Sequence, residues 1–236
     1  MKKISVLLFL FLFALETSAQ QADLTEINQL LQKKHYEMMN ERDPFDNKIS
    51  GSPYLSEEYI TSRVFFKEQK KPVKAELRYN AYSEEFEFSQ GGYRFVISNM
   101  EQIDSIEYLN QHFIYTTYID ETGRSQDGFL ARLINGPCVI YKMYSIEFYQ
   151  AEPPKSGYDG LKPARFESED PKYCIRLECN TSPKIIKSFR RKKFLEYFES
   201  SKKELKQYIK DENLRLRKEE DLIQFITHYN THYGKG

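Results

Sequence analysis

Between residues 54 and 149, apolar and polar side chains alternate in short runs, and each run ends in a turn-forming cluster. Val73, Ala75, Leu77, Tyr79 and Ala81 share one face of an extended segment, with Lys74, Glu76, Arg78 and Asn80 on the other. Phe86 and Phe88 alternate with Glu85 and Glu87, and Gln90-Gly91-Gly92 reads as a hairpin turn into Tyr93–Ile97. Further runs at 63–66, 103–109, 112–119, 129–134 and 139–149 recur at intervals of about 10–15 residues, with turn signals such as Asn110-Gln111, Thr122-Gly123, Asp127-Gly128 and Asn135-Gly136-Pro137. No segment between them has a 3.6-residue period, which excludes βαβ units. The pattern predicts an α+β fold built on an antiparallel β meander, as a curved sheet, sandwich or barrel.

The flanks differ from this centre. Residues 1–19 carry a basic start at Lys2-Lys3, an apolar run over 4–15 and small residues at Thr17 and Ala19, the pattern of a signal peptide cut between Ala19 and Gln20. The run is too short for a bilayer, which needs about 20 apolar residues. No Cys follows it to carry a lipid. The mature chain is therefore expected to be exported and soluble, in the periplasm or outside the cell. Residues 20–50 are read as an N-terminal helix and linker, since Leu24, Ile27, Leu30, Leu31 and Met38 recur near helical spacing. Residues 51–187 form the β domain, in which 150–171 is a Pro/Gly-rich connection. Residues 188–236 form a helical basic segment. In it Leu205, Tyr208 and Ile209, and then Leu222, Phe225, Ile226 and Tyr229, make apolar stripes, and Ser201 with Glu204 spells a capping box.

Charge is unevenly spread. The whole chain is neutral, with 35 Lys and Arg against 35 Asp and Glu. Residues 187–218, however, hold twelve bases and five acids, a net of +7, which leaves the rest of the mature chain at −8. Bases on amphipathic helices suit anionic headgroups or an acidic partner. Export argues against nucleic acid. The 18 Tyr and 17 Phe supply ample material for a core, which excludes a disordered chain.

No chemistry-bearing motif stands out. Glu84, Glu85 and Glu87 read as a solvated sheet face opposite Phe86 and Phe88. His228 and His232 share a helix face but lack a third metal ligand nearby in sequence. A Cys138–His112 dyad rests on composition alone. There is no Gly-x-Ser-x-Gly elbow and no phosphate loop. Cys174 and Cys179 would lie about 16 Å apart on a strand and cannot bridge each other. A bridge from Cys138 to either stays open beside the plainer reading of three small core residues. No catalytic residue, metal or cofactor is expected.

The stretch Gly51-Ser52-Pro53-Tyr54-Leu55, then Leu77-Arg78-Tyr79-Asn80-Ala81-Tyr82 with Glu84-Glu85-Phe86-Glu87-Phe88, resembles uncharacterised exported proteins of the Bacteroidota. Near the C-terminus so do Leu205-Lys206-Gln207-Tyr208-Ile209-Lys210, Glu219-Glu220-Asp221-Leu222-Ile223 and Tyr229-Asn230. The resemblance implies export and no activity. Under it, Asp104-Ser105-Ile106 is similar to a short O-glycosylation motif with Ser105 as acceptor. The expected function is a non-enzymatic envelope protein that binds an apolar, lipid-like ligand in or on a curved sheet. The alternative is an interaction module of a membrane-associated envelope complex, with Arg190, Arg191, Lys192 and Lys193 or the 150–171 loop as its contact surface, near or on a membrane.

Overall fold

A computed structural model describes residues 49–90, 93–153, 162–177 and 181–234, together with the backbone of 33–35. Alternation does what the sequence suggests. In β2 (Ile60–Phe66), Ser62, Val64 and Phe66 turn inward; in β3 (Val73–Asn80), Val73, Leu77 and Tyr79 do so while Lys74 and Glu76 face water. β4 (Glu85–Gln90) pairs with β3 so that Phe86 lies opposite Tyr79 and Phe88 opposite Leu77. β5 (Tyr93–Ile97) pairs back on β4 up to Gln90↔Tyr93, as expected of a two-residue hairpin loop. β6 (Ile103–Tyr108) joins the far edge of β2, and β7 (Gln111–Ile119) follows it through a tight turn in which Leu109 and Asn110 both have positive φ.

The remaining strands close a ring. β8 (Ser125–Ile134) pairs with β7 over eight residue pairs, and β9 (Val139–Met143) pairs with β8. β12 (Lys172–Arg176) lies antiparallel to β9, and the short β13 (Lys184–Ile185) returns to β7. That last contact is parallel, Lys184 against Ile119, and is fastened by the Ile119 N–H donating to the Pro183 carbonyl at 2.8 Å. The order β7-β13-β12-β9-β8, with β8 paired again to β7, makes a closed five-stranded barrel. The strands β6-β2-β3-β4-β5 continue from the other part of β7 as a curved wing. Thus the α+β class and the antiparallel meander hold, with a closed barrel at one end.

Three clusters form the interior. The ring is filled by Tyr118, Leu130, Val139, Tyr141, Met143, Cys174 and Ile185, with Ile114 partly buried beside them. An eight-stranded barrel is just wide enough for side chains to fill, so a five-stranded one has room for little else. The wing is filled by aromatics: Phe86 is fully buried and meets the rings of Tyr79, Tyr108, Phe113 and Phe129 at 4.8 to 5.5 Å between centroids. Mostly edge-to-face contacts of this kind add about 0.5–1.5 kcal/mol each beyond burial. The third cluster joins the helices to the outer face of β9 and β12, through Ile140, Tyr173 and Ile175.

The helices are α1 (Arg191–Phe194), a 3-10 segment (Leu195–Ser201), α2 (Lys202–Asp211) and α3 (Glu219–His232). Leu205 and Ile209 of α2, and Leu222, Phe225 and Ile226 of α3, are buried on the expected stripes. Ser201 makes no side-chain cap bond, because the chain enters α2 directly from the 3-10 segment; the capping-box expectation is corrected there. α3 is anchored by Asn230. Its side-chain carbonyl accepts from the Cys138 N–H at 2.8 Å, and its amide donates to the Cys138 carbonyl at 2.8 Å, as a neighbouring strand would. Gly136, at φ 147, lets the amide approach; an added Cβ would lie 2.5 Å from Asn230 Nδ2.

Three other expectations change. Lys33–His35 form a strand, β1, antiparallel to β5, so the N-terminal helix does not run through them; the open edge of β5 offers backbone partners that outweigh a weak helical stripe. The rest of that helix, and the Ala19–Gln20 cleavage site, lie outside the described residues. The run 139–149 breaks at Tyr144-Ser145, where Tyr144 turns its hydroxyl to Gln111 Oε1 at 2.8 Å. Beyond the break, β10 (Ile146–Tyr149) pairs with β11 (Arg165–Ser168), so the 150–171 connection contains a strand.

Candidate functional site

Two surface concavities bring chemically active side chains together. The first lies at the mouth of the ring, where β7 ends and β9 delivers Met143 to the rim. It holds about 330 Å³. Tyr118, Met143, Tyr144 and Ile185 give it an apolar and aromatic lining, and Glu84, Asp120, Glu121 and Lys172 give it charge. Asp120 is already committed: its Oδ1 accepts from the Thr122 hydroxyl at 2.7 Å, then from the N–H of Arg124 and Thr122 at 2.9 and 2.8 Å, which holds its carboxyl down at about 2. Lys172 pairs with Glu121 at 3.3 Å on the exposed rim.

Glu84 is different. It sits in the β3–β4 turn with φ 58, a conformation few side chains adopt without help. The residue is exposed, but its Oε2 lies close to Gly128 of β8. A Cβ at 128 would stand 3.1 Å from Glu84 Oε2 and 3.3 Å from the Tyr118 ring, so the missing side chain makes the seat. Burial there raises the Glu84 carboxyl above its ordinary value, and Lys172 opposes the rise. Burial and then the Glu84 charge push the Tyr118 phenol up to about 12. Neither Glu84 nor the Tyr118 hydroxyl has a hydrogen-bond partner among the described residues.

The second concavity, about 380 Å³, lies between the start of α1 and the α2–α3 loop. Phe189, Ile209, Leu214 and Leu216 form its floor, and Arg190, Arg191, Arg215, Arg217 and Lys218 form its rim, with no acid in the lining. The loop is shaped by Asn213 at φ 52, with the Leu214 N–H donating to the Ile209 carbonyl at 3.0 Å. The Arg215 N–H donates to Asp221 Oδ2 at 2.7 Å, which pins the rim to the start of α3. The five rim cations have no ion-pair partner among the described residues.

The sequence-derived residues fall as follows. Arg190 and Arg191 line the basic groove; Lys192 and Lys193 are exposed outside it, and Lys193 pairs with Glu196 at 3.3 Å. Arg215, Arg217 and Lys218 were visible only as part of the regional charge. Ser105 sits mid-strand in β6, 5% exposed, its hydroxyl donating to Asp104 Oδ2 at 3.1 Å. Cys138 and Cys174 are buried free thiols, each pushed up to about 12 by burial, so they do not bridge each other; Cys179 lies outside the described residues. His228 stacks between Tyr208, at 3.6 Å, and His232, at 4.3 Å between centroids. No three His, Cys, Asp or Glu side chains among the described residues gather where a metal could sit.

The solvated reading of Glu87 is overturned. Glu87 is 6% exposed and accepts from Arg78 Nη2 at 2.8 Å, while the Arg78 guanidinium lies over the rings of Tyr54 and Tyr59 at 3.6 and 4.6 Å. The segment carrying those two tyrosines crosses the polar face of the wing and covers Arg78 and Glu87.

The chain matches no family model, no curated protein and no solved structure. No helix among the described residues is long and apolar enough to cross a membrane.

Proposed function

We propose that this chain is an exported, non-enzymatic envelope protein that works as a docking module, using the basic groove of its helical segment to hold an acidic, apolar-tipped segment of another envelope protein. The observation that carries the reading is the groove itself: five cations with no ion-pair partner among the described residues, around a recessed apolar floor. Ile209, Leu214 and Leu216 are buried, so the floor meets a side chain inserted from outside rather than a flat bilayer, which needs protruding apolar groups. The rim selects acidic partners and speeds their approach. The apolar-ligand reading has no comparable feature behind it, since ring and wing are occupied by the chain's own side chains.

The test is a photo-crosslinking side chain at Leu216 in the exported full chain, followed by mass spectrometry of the joined peptide. The expected product is an acidic segment with an apolar residue at the crosslink. It should be lost in 0.5 M salt and in an Arg190→Glu/Arg215→Glu variant that keeps the wild-type circular dichroism. A crosslinked segment without acids, or binding to phosphatidylglycerol vesicles with no crosslinked protein, overturns the reading.

A further inference from the structure

The cleft at the mouth of the ring lies apart from the groove, and three of its lining residues, Tyr118, Met143 and Ile185, belong to the ring core. We infer that it is a binding site for a small amphiphilic primary amine, whose ammonium group bonds to Glu84 and the Tyr118 hydroxyl while its apolar body rests on Met143, Ile185 and Tyr144.

Four observations converge. Tyr118 is 7% exposed, and its hydroxyl opens on the cleft with no hydrogen-bond partner among the described residues. Glu84 also lacks a donor, is held in a left-handed conformation and rests in a seat created by Gly128. Strain of this kind persists where the surroundings enforce it, and it collects at functional sites. The lining carries three acids and one lysine, so its net charge of −2 selects a cation. Asp120 is saturated by its own turn and Glu121 by Lys172, which leaves Glu84 as the one lining carboxylate without a protein partner among the described residues.

The size fits as well. About 330 Å³ is at the lower end of small-molecule sites. The lining combines apolar and charged groups, so a ligand with an amine at one end and a short hydrocarbon or ring at the other satisfies both. A carboxylate ligand would meet Glu84 without a free cation to receive it, because Lys172 is occupied.

The probe is 2-phenylethylamine, with 2-phenylethanol and phenylacetate as the uncharged and anionic matches. Each is titrated into the 15N-labelled full chain and followed by amide shifts. The amine should move the amides of Glu84, Tyr118, Gln126 and Lys172 saturably, and the alcohol and acid should bind at least tenfold more weakly. Glu84→Gln should weaken the amine at least tenfold and Tyr118→Phe several-fold, with the rest of the spectrum unchanged. Lys172→Ala should tighten the amine, a change of sign that a merely structural effect would not produce. Equal binding of amine and alcohol, no saturable shift with the amine, or an amine affinity unaltered by Glu84→Gln overturns the proposal. If Tyr118→Phe disturbs the fold, the Glu84 and Lys172 pair decides it alone.

Discussion

Replacing Glu87 with Gln tests whether the buried ion pair on the wing holds the 54–59 segment down. The carboxylate accepts from Arg78 at 2.8 Å and from the Tyr54 hydroxyl at 3.4 Å, and Arg94 lies 3.9 Å away. The Arg78 and Glu87 side chains are 15% and 7% exposed. Removing one partner of such a pair strands the other charge, which typically loses about 3–5 kcal/mol. Here Arg78 keeps its two tyrosine faces and the Glu57 carbonyl, and Arg94 opens one side to water, so about 2–3 kcal/mol is expected. With a urea slope near 2 kcal/mol per M, the unfolding midpoint falls by about 1–1.5 M. The chain has no Trp, so circular dichroism and Tyr fluorescence are the readouts. Arg78→Met/Glu87→Leu should recover more than half of the loss, since an apolar pair removes both desolvation penalties. A midpoint shift under about 0.3 M for Glu87→Gln would mean that the pair behaves as an exposed one, and the reasoning fails.

Other outcomes follow from the same geometry. Asn230→Ala strands the Cys138 N–H and carbonyl and should lower stability by about 1–3 kcal/mol in urea titration, with faster amide exchange at Cys138. Gly136→Ala should destabilise the same corner, read by thermal unfolding, because its Cβ meets the Asn230 amide and its φ is unsuited to a side chain. Burial, then His232, lowers the His228 pKa below its ordinary 6.5, so the unfolded chain binds its proton more readily. Stability from this residue is then present above pH 6.5 and lost as pH falls through the folded value, and His228→Gln should flatten that part of the pH profile. In Cys179→Ser protein, Cys138 and Cys174 should resist maleimide until urea unfolds the chain, since both thiols are buried and their pKa values stand near 12.

Much of the β architecture was legible because burial follows a two-residue period. Phe86 and Phe88 had to face inward wherever the strand lay, and so did Leu77 and Tyr79. Ring closure was not legible. It rests on a single parallel contact between Lys184 and Ile119, made by a strand of two residues with no period to read. Glu87 was misread because its burial comes from a segment far earlier in the chain, and alternation reports only which face a residue takes. The basic groove was half legible. Arg190 and Arg191 are adjacent, but Arg215 and Arg217 reach them only through the left-handed turn at Asn213. The seat of Glu84 depends on an absent side chain across the ring mouth, which sequence spacing does not express.

β7 is shared property. Its first residues belong to the wing through β6, its last to the barrel through β13, and its whole length to β8. For a chain made from its N-terminus onward, this sets an order of assembly. The wing strands emerge early and can roll up, but the far end of β7 waits with its backbone bare until β13 arrives, after β12 and the 150–171 connection have crossed. During that interval the molecule carries an open strand edge, the feature through which β proteins join to one another by mistake. The short β13 therefore does little for the area of the sheet and much for the identity of the assembly: it seals the far end of β7 against a second copy of the chain.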